Sequence, residues 1–276
     1  MSALPPSATA GERIAQVGLR VFAALVCVFL VAPILAIVPL SFSSGSFLHY
    51  PLPGFSLRWY AEFFSSQFWL PALWNSVLIG AVATALATVL GTVAALGLWR
   101  VKFWGQPVAM AIIAAPMIVP EIIMAVGIYF AFAPLGLTNS FSGIILAHTA
   151  LAVPFVVITV LATLSGFDRT LIRAAANLGA NPVVTFFRVV LPLILPGLVS
   201  GAVFAFAVSF DDVILVLFLG GPGQRTLPRQ MFSGINDNIS LTITAAATVL
   251  IVISIALMAC VELLRRRSER LAGRRA

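Results

Sequence analysis

Apolar residues run along this chain in six long blocks separated by short polar ones. The blocks are about Val21 to Leu40, Leu73 to Trp99, Pro107 to Pro134, Phe141 to Leu164, Leu191 to Leu219 and Ile239 to Leu264. Each is continuous and long enough to cross a bilayer as a helix, which takes about 20 residues. A barrel strand would instead alternate over roughly ten residues, and no such alternation is present. The pattern therefore predicts an all-α, polytopic membrane bundle with about six transmembrane helices. The first block is too long for a signal-peptide core and has no A-x-A site after it, so it is expected to be a retained anchor helix. The second block carries Gly80, Ala83, Ala87, Gly91 and Ala95 in series, a spacing that lets helices approach closely.

Composition agrees. The chain is 61% hydrophobic and 9% charged, against about 25% charged in a soluble domain. A chain with a mean hydropathy of +1.09 lacks the polar residues to cover itself in water. In lipid, every backbone group must be bonded internally, which a helix bundle achieves.

The net charge is +7, but the basic residues do not mark a nucleic-acid partner. They lie between the apolar blocks and at the C-terminus, where topology accounts for them. With the N-terminus inside, the cytoplasmic side collects Arg13, Arg20, Arg100, Lys102, Arg169, Arg173, Arg188, Arg265, Arg266, Arg267, Arg270, Arg274 and Arg275, thirteen of the sixteen. Arg58, Arg225 and Arg229 remain outside. Both termini are thus expected in the cytoplasm. The implied organisation is an N-terminal segment 1–20, a membrane domain 21–264 with a cytoplasmic loop at 166–190, and a basic tail 265–276 set against the inner leaflet.

Two polar stretches stand out. Ser41 to Leu70 holds Trp59, Tyr60, Phe63, Phe64, Phe68 and Trp69, a composition for membrane-interface anchoring or for docking an outside partner. The loop GFDRTLIRAAANLGANPVVTFFRVVLP, Gly166 to Pro192, reads as a helix, a glycine elbow and a second helix. Asp168 can cap the first helix. Leu171, Ile172, Ala175 and Leu178 form an apolar stripe on it. Gly179 is placed for a left-handed end, and Asn181 with Pro182 starts the second helix. A plain connector needs only a few residues, so this protrusion is built to be received by something.

That loop resembles the EAA loop of binding-protein-dependent ABC importer permeases, through Ala174, Ala175, Gly179, Leu191 and Pro192. The family's glutamate falls on Arg173. The segments PEIIMA (Pro120 to Ala125), LAVPFVVITVLATLSGFD (Leu151 to Asp168) and SFDDVILVLFLGGPGQRTLPRQMF (Ser209 to Phe232) look like the second permease subunit of spermidine/putrescine importers. The resemblance implies the type I importer permease fold. It implies ATPase coupling through Asp168, Arg173, Ala174, Ala175, Leu178, Gly179, Ala180 and Pro182. The implied partners are a second permease subunit, an ABC ATPase dimer, a periplasmic solute-binding protein and membrane lipid. Related branches carry opines, amino-acid derivatives, sugars or anions.

Glu121, Asp211 and Asp212 are the acids within apolar blocks. A charge at mid-bilayer costs about 2.5–3.5 kcal/mol on insertion scales, so they face the bundle interior or water. Two readings stand: a path for a protonated amine, or structural acids paired with an arginine of a partner or with broken-helix backbone. The outer turn GGPGQRTLP, Gly220 to Pro228, is a glycine- and proline-rich turn. The resemblance gives its Gly221, Pro222 and Gly223 a part in an outer gate or in receptor docking.

Catalysis is not expected. Lys102 is the one lysine and follows Val101, so the Gly-Lys pair of an ATP-binding loop is missing. ATP and magnesium would be held by the partner ATPase, and this chain would carry no cofactor. His49 and His148 form no metal cluster, and His148 is expected to make a helix-helix hydrogen bond. Cys27 and Cys260 read as apolar filler. An intramembrane serine protease would need a serine elbow, and a stand-alone carrier commonly shows internal repeats. Neither is present, and neither accounts for the elbow.

Overall fold

The computed structural model describes residues 10–237 and 240–273. Residues 1–9 of the N-terminal segment, Ile239 at the expected start of the sixth block, and Arg274 and Arg275 of the tail lie outside the described residues.

Twelve α-helices are present among them: α1 (Ala10–Leu40), α2 (Arg58–Ser65), α3 (Trp69–Arg100), α4 (Gln106–Ile118), α5 (Glu121–Phe132), α6 (Phe141–Ser165), α7 (Thr170–Asn177), α8 (Pro182–Thr185), α9 (Leu191–Asp211), α10 (Ile214–Leu219), α11 (Leu227–Asp237) and α12 (Thr242–Gly273). Five helical stretches are long and apolar enough to span a membrane: Ile14–Leu40, Trp69–Arg100, Phe141–Ser165, Pro182–Asp211 and Thr242–Ala259. The tail expected from Arg265 onward continues as helix to Gly273.

Two expected spans are broken. The third is not one helix: α4 and α5 are bent by 107° at Val119–Pro120. Pro120 has no N–H to continue the ladder, and it drives Val119 into extended geometry, with φ −70° and ψ 132°. The fifth ends early. At Asp212 the chain is extended, with φ −66° and ψ 130°. The carboxylate accepts the Leu215 N–H at 2.9 Å, a local bond that competes with helix continuation and starts α10.

The fifth span also begins earlier than its apolar run. A π-turn at Phe186–Val190 joins α8 to α9. The Leu191 N–H reaches back to the Phe186 carbonyl, and Pro192 follows at the helix start.

The core is α3, α6 and α9, which pack closely on one another. Gly80, Ala83, Ala87, Gly91 and Ala95 are all buried on α3, so the small-residue series is a packing face. Gly201 of α9 sits against α6: a Cβ there would lie 2.9 Å from the Val156 Cα and would meet the Thr159 hydroxyl. Helix α12 lies against α9.

Helix α1 differs from the rest. None of its apolar window is buried inside the chain; it meets α12, and its Leu40 end joins a small buried cluster. The aromatic stretch divides. Trp59, Phe63 and Trp69 are buried, with Trp59 Nε1 donating to the Ser43 carbonyl at 2.8 Å. Phe64 and Phe68 remain exposed. Thr242 of α12 donates to Glu62 at 2.9 Å, tying α2 down.

Candidate functional site

The two helix breaks meet. Short helices α5 and α10 pack together, which brings the first residue of α5, Glu121, beside the end of α9. Its carboxyl interacts with both Asp211 and Asp212. The two aspartates, adjacent in sequence, separate in space: Asp211 closes α9 and is exposed, whereas Asp212 occupies the break and is buried. Carboxylates gathered in a setting of low dielectric call for a positive partner, since their mutual repulsion is poorly screened there. Broken helices in a membrane are tolerated where the freed backbone lines a cavity or is covered by protein.

His148 of α6 completes this region. It is wholly buried. Its Nδ1 lies 2.7 Å from the Ser209 hydroxyl on α9, the helix-helix bond expected of it. Its Nε2 stands 3.9 Å from Asp212 Oδ1. Sequence reasoning did not join His148 to the acids. The α6–α9 packing that brings them together is a property of the fold, and the one local signal is Ser209 two residues ahead of Asp211.

The elbow forms as its residues demand. Helix α7 ends at Asn177, and Gly179 is left-handed at φ +83°. Around it, Leu178 N–H donates to the Ala174 carbonyl and Ala180 N–H to the Ala175 carbonyl. Asn181 Oδ1 accepts the Val184 N–H at 2.8 Å, with Pro182 in the first turn.

Asp168 acts one step away from the expected cap. It accepts the Thr170 hydroxyl at 2.7 Å and the Thr170 N–H at 2.9 Å. The hydroxyl bond first, and the amide bond second, hold its carboxyl below the ordinary aspartate range. The apolar stripe splits: Ile172 packs inward, while Leu171 is exposed and Leu178 is 88% exposed. Arg173 and Ala174 are exposed, and Ala175 and Ala180 are half-buried. A concavity of about 390 Å³ opens between Ala175, Leu178 and Ala180 on one side and Val184, Arg188 and Val189 on the other.

One tether of this loop carried no sequence signal. Arg169 donates to the Trp99 carbonyl at 2.5 Å, and Phe167 meets the Trp99 ring edge-on at 5.4 Å.

At the opposite end of the bundle, Gly221, Pro222 and Gly223 lie in a pinned turn with a 3₁₀ core at Pro222–Gln224. Arg229 donates to the carbonyls of Gly220 and Gly221 at 2.9 and 3.1 Å. Asn75 of α3 donates to those of Gly223 and Arg225 at 3.1 and 2.9 Å. The Asn139 N–H bonds the Leu219 carbonyl at 2.7 Å. Together these bonds tie the turn to α11 and α3, and the α10 end before it to the segment ahead of α6.

Residues 87–271 match the family described as "Binding-protein-dependent transport system inner membrane component". The spermidine/putrescine transport system permease protein PotC of Haemophilus influenzae is 33% identical over 248 residues, covering 90% of this chain and 96% of that protein. The putrescine transport system permease protein PotI of Escherichia coli is 34% identical over 230 residues, covering 81% and 82%. Among solved structures, a chain of a bacterial ABC transporter involved in the import of the acidic polysaccharide alginate superposes with a TM-score of 0.72 at 18% identity, covering 95% of this chain and 99% of that one. A chain of the MetNI methionine ABC transporter, inward facing, gives 0.61 at 19% identity, covering 73% and 96%. The structural likenesses establish the fold.

Proposed function

The chain belongs to the binding-protein-dependent transport system inner membrane components, and from that premise we propose that it is the permease subunit of an ATP-driven importer of polyamines. Two relatives over most of its length are named for spermidine and putrescine transport. The observation that carries the reading is the meeting of Glu121, Asp211 and Asp212 where two broken helices pack together. A protonated amine supplies the positive charge such a group calls for, and the acids offset its desolvation in turn.

In this reading the chain is a multi-pass inner-membrane subunit with both termini in the cytoplasm. A second permease subunit supplies the other wall of the path. A separate ATPase dimer holds ATP and magnesium and receives the elbow, with Leu178 and the neighbouring concavity as its docking face. A periplasmic solute-binding protein delivers the substrate at the opposite end, near Gly221, Pro222 and Gly223. ATP then biases an equilibrium between two arrangements of the bundle.

The test is reconstitution of the chain with its partner subunits in proteoliposomes, offering putrescine, spermidine or a neutral amino acid through the receptor. The expected result is hydrolysis and uptake stimulated by the amines and lost in Asp211→Asn/Asp212→Asn. Stimulation by the neutral solute alone overturns the substrate class. Amine transport that survives in the double variant removes the two aspartates from the path.

A further inference from the structure

The amine path described above has no use for His148, yet its ring is placed with respect to Asp212. The residue is wholly buried, in the first third of α6. The Ser209 hydroxyl fixes Nδ1 at 2.7 Å. The other nitrogen, Nε2, stands 3.9 Å from Asp212 Oδ1. Among the described residues, neither Nε2 nor Asp212 Oδ2 has a hydrogen-bond partner, although both atoms are buried. A buried ring nitrogen left unpaired beside a carboxylate is unfavourable, and the nearer oxygen, Oδ1, keeps a lone pair for it beside the Leu215 N–H it already accepts. The gap is about 1 Å too long for a hydrogen bond.

That same oxygen, Oδ1, is held by the Leu215 N–H of α10. Helix α10 is only Ile214–Leu219 and packs on α5, Glu121–Phe132. The ring, by contrast, is carried by α6, which is embedded between α3 and α9. The tautomer that would serve Asp212 is the one in which Ser209 donates into Nδ1 and the ring hydrogen sits on Nε2.

We propose that His148 is a positioning residue for Asp212: Ser209 locks the ring through Nδ1, and Nε2 references the carboxylate at the α9–α10 break to the rigid core. This rests on the reading of Asp212 as part of the solute path. A site placed at a helix break needs such a support to keep its geometry.

Two isosteres separate the two nitrogens. In His148→Asn the amide reaches the Nδ1 position, so the Ser209 bond is kept and the Asp212 contact is lost. In His148→Gln it reaches the Nε2 position, with the reverse result. Both are made in the full transporter, with copurification of the partner subunits as the check on assembly. His148→Gln is expected to keep KM for the transported solute near wild type, while His148→Asn raises it roughly tenfold with kcat little changed, the worth of one hydrogen bond to a charged group. An active Asn variant beside an impaired Gln variant overturns the proposal and leaves His148 the α6–α9 bond alone. Equal behaviour of the two, active or inactive, overturns it as well. The comparison is made with whichever solute stimulates the wild type, so its failure is separate from failure of the amine reading.

Discussion

The guanidinium carbon of Arg169 lies 4.4 Å from the centre of the Trp99 ring, while the same group donates to the Trp99 carbonyl. This pins the start of the elbow to the last turn of α3. A stacked cation at an exposed site is worth about 0.5–1 kcal/mol. If the elbow is the lever that receives the ATPase stroke, this contact passes part of the stroke to the core. A double-mutant cycle of Arg169→Ala and Trp99→Leu on solute-stimulated ATP hydrolysis is expected to give a coupling energy in that range. A value of zero means the two side chains act independently.

Gly179 has open space where a Cβ would stand, so crowding does not demand glycine there. Its φ of +83° does. A β-branched residue in left-handed geometry costs about 1–2 kcal/mol. Gly179→Val is expected to abolish solute-stimulated ATP hydrolysis with membrane insertion intact, whereas Gly179→Asn, which tolerates that geometry, retains most of it. Equal stimulation in the two variants excludes the elbow conformation as the cause.

Gly201 is required for the opposite reason, because α6 backbone lies where its side chain would be. Gly201→Ala is expected to destabilise the purified subunit by about 1–3 kcal/mol through overpacking. Gly201→Leu is expected to prevent accumulation of folded protein. Thermal unfolding in detergent reads the first and membrane-fraction yield the second.

Asp212 combines a charge with a cap, and two substitutions divide them. Asn keeps an oxygen for the Leu215 N–H and removes the charge. Ala removes both. Thermal stability is expected to stay near wild type in Asp212→Asn and to fall by about 1 kcal/mol in Asp212→Ala, while amine uptake falls in both. Uptake retained in Asp212→Asn assigns the residue to the cap alone.

Much of this architecture was legible from residue types. Hydropathy placed the spans, and Gly179, Asn181 and Pro182 took the backbone roles their chemistry prescribes. The extent of the breaks was not legible, because an apolar block reads the same whether its backbone runs straight or turns by 107°. Pro120 was a visible cause, but a proline within a membrane helix often leaves it continuous. Asp211 and Asp212 are neighbours in the sequence, and adjacency hides the change of backbone direction between them. His148 was legible as a hydrogen-bonding residue and not as a neighbour of the acids, because that contact depends on how α6 and α9 are docked.

Helix α1 has almost no inward face, and this sets apart what the chain does for itself from what it does in company. Nearly all of the area that α1 hides must be hidden by lipid or by another polypeptide, so its removal leaves the α3–α6–α9 core as tightly packed as before. Helix α1 is better regarded as an arm held out by a finished body than as one more member of the bundle.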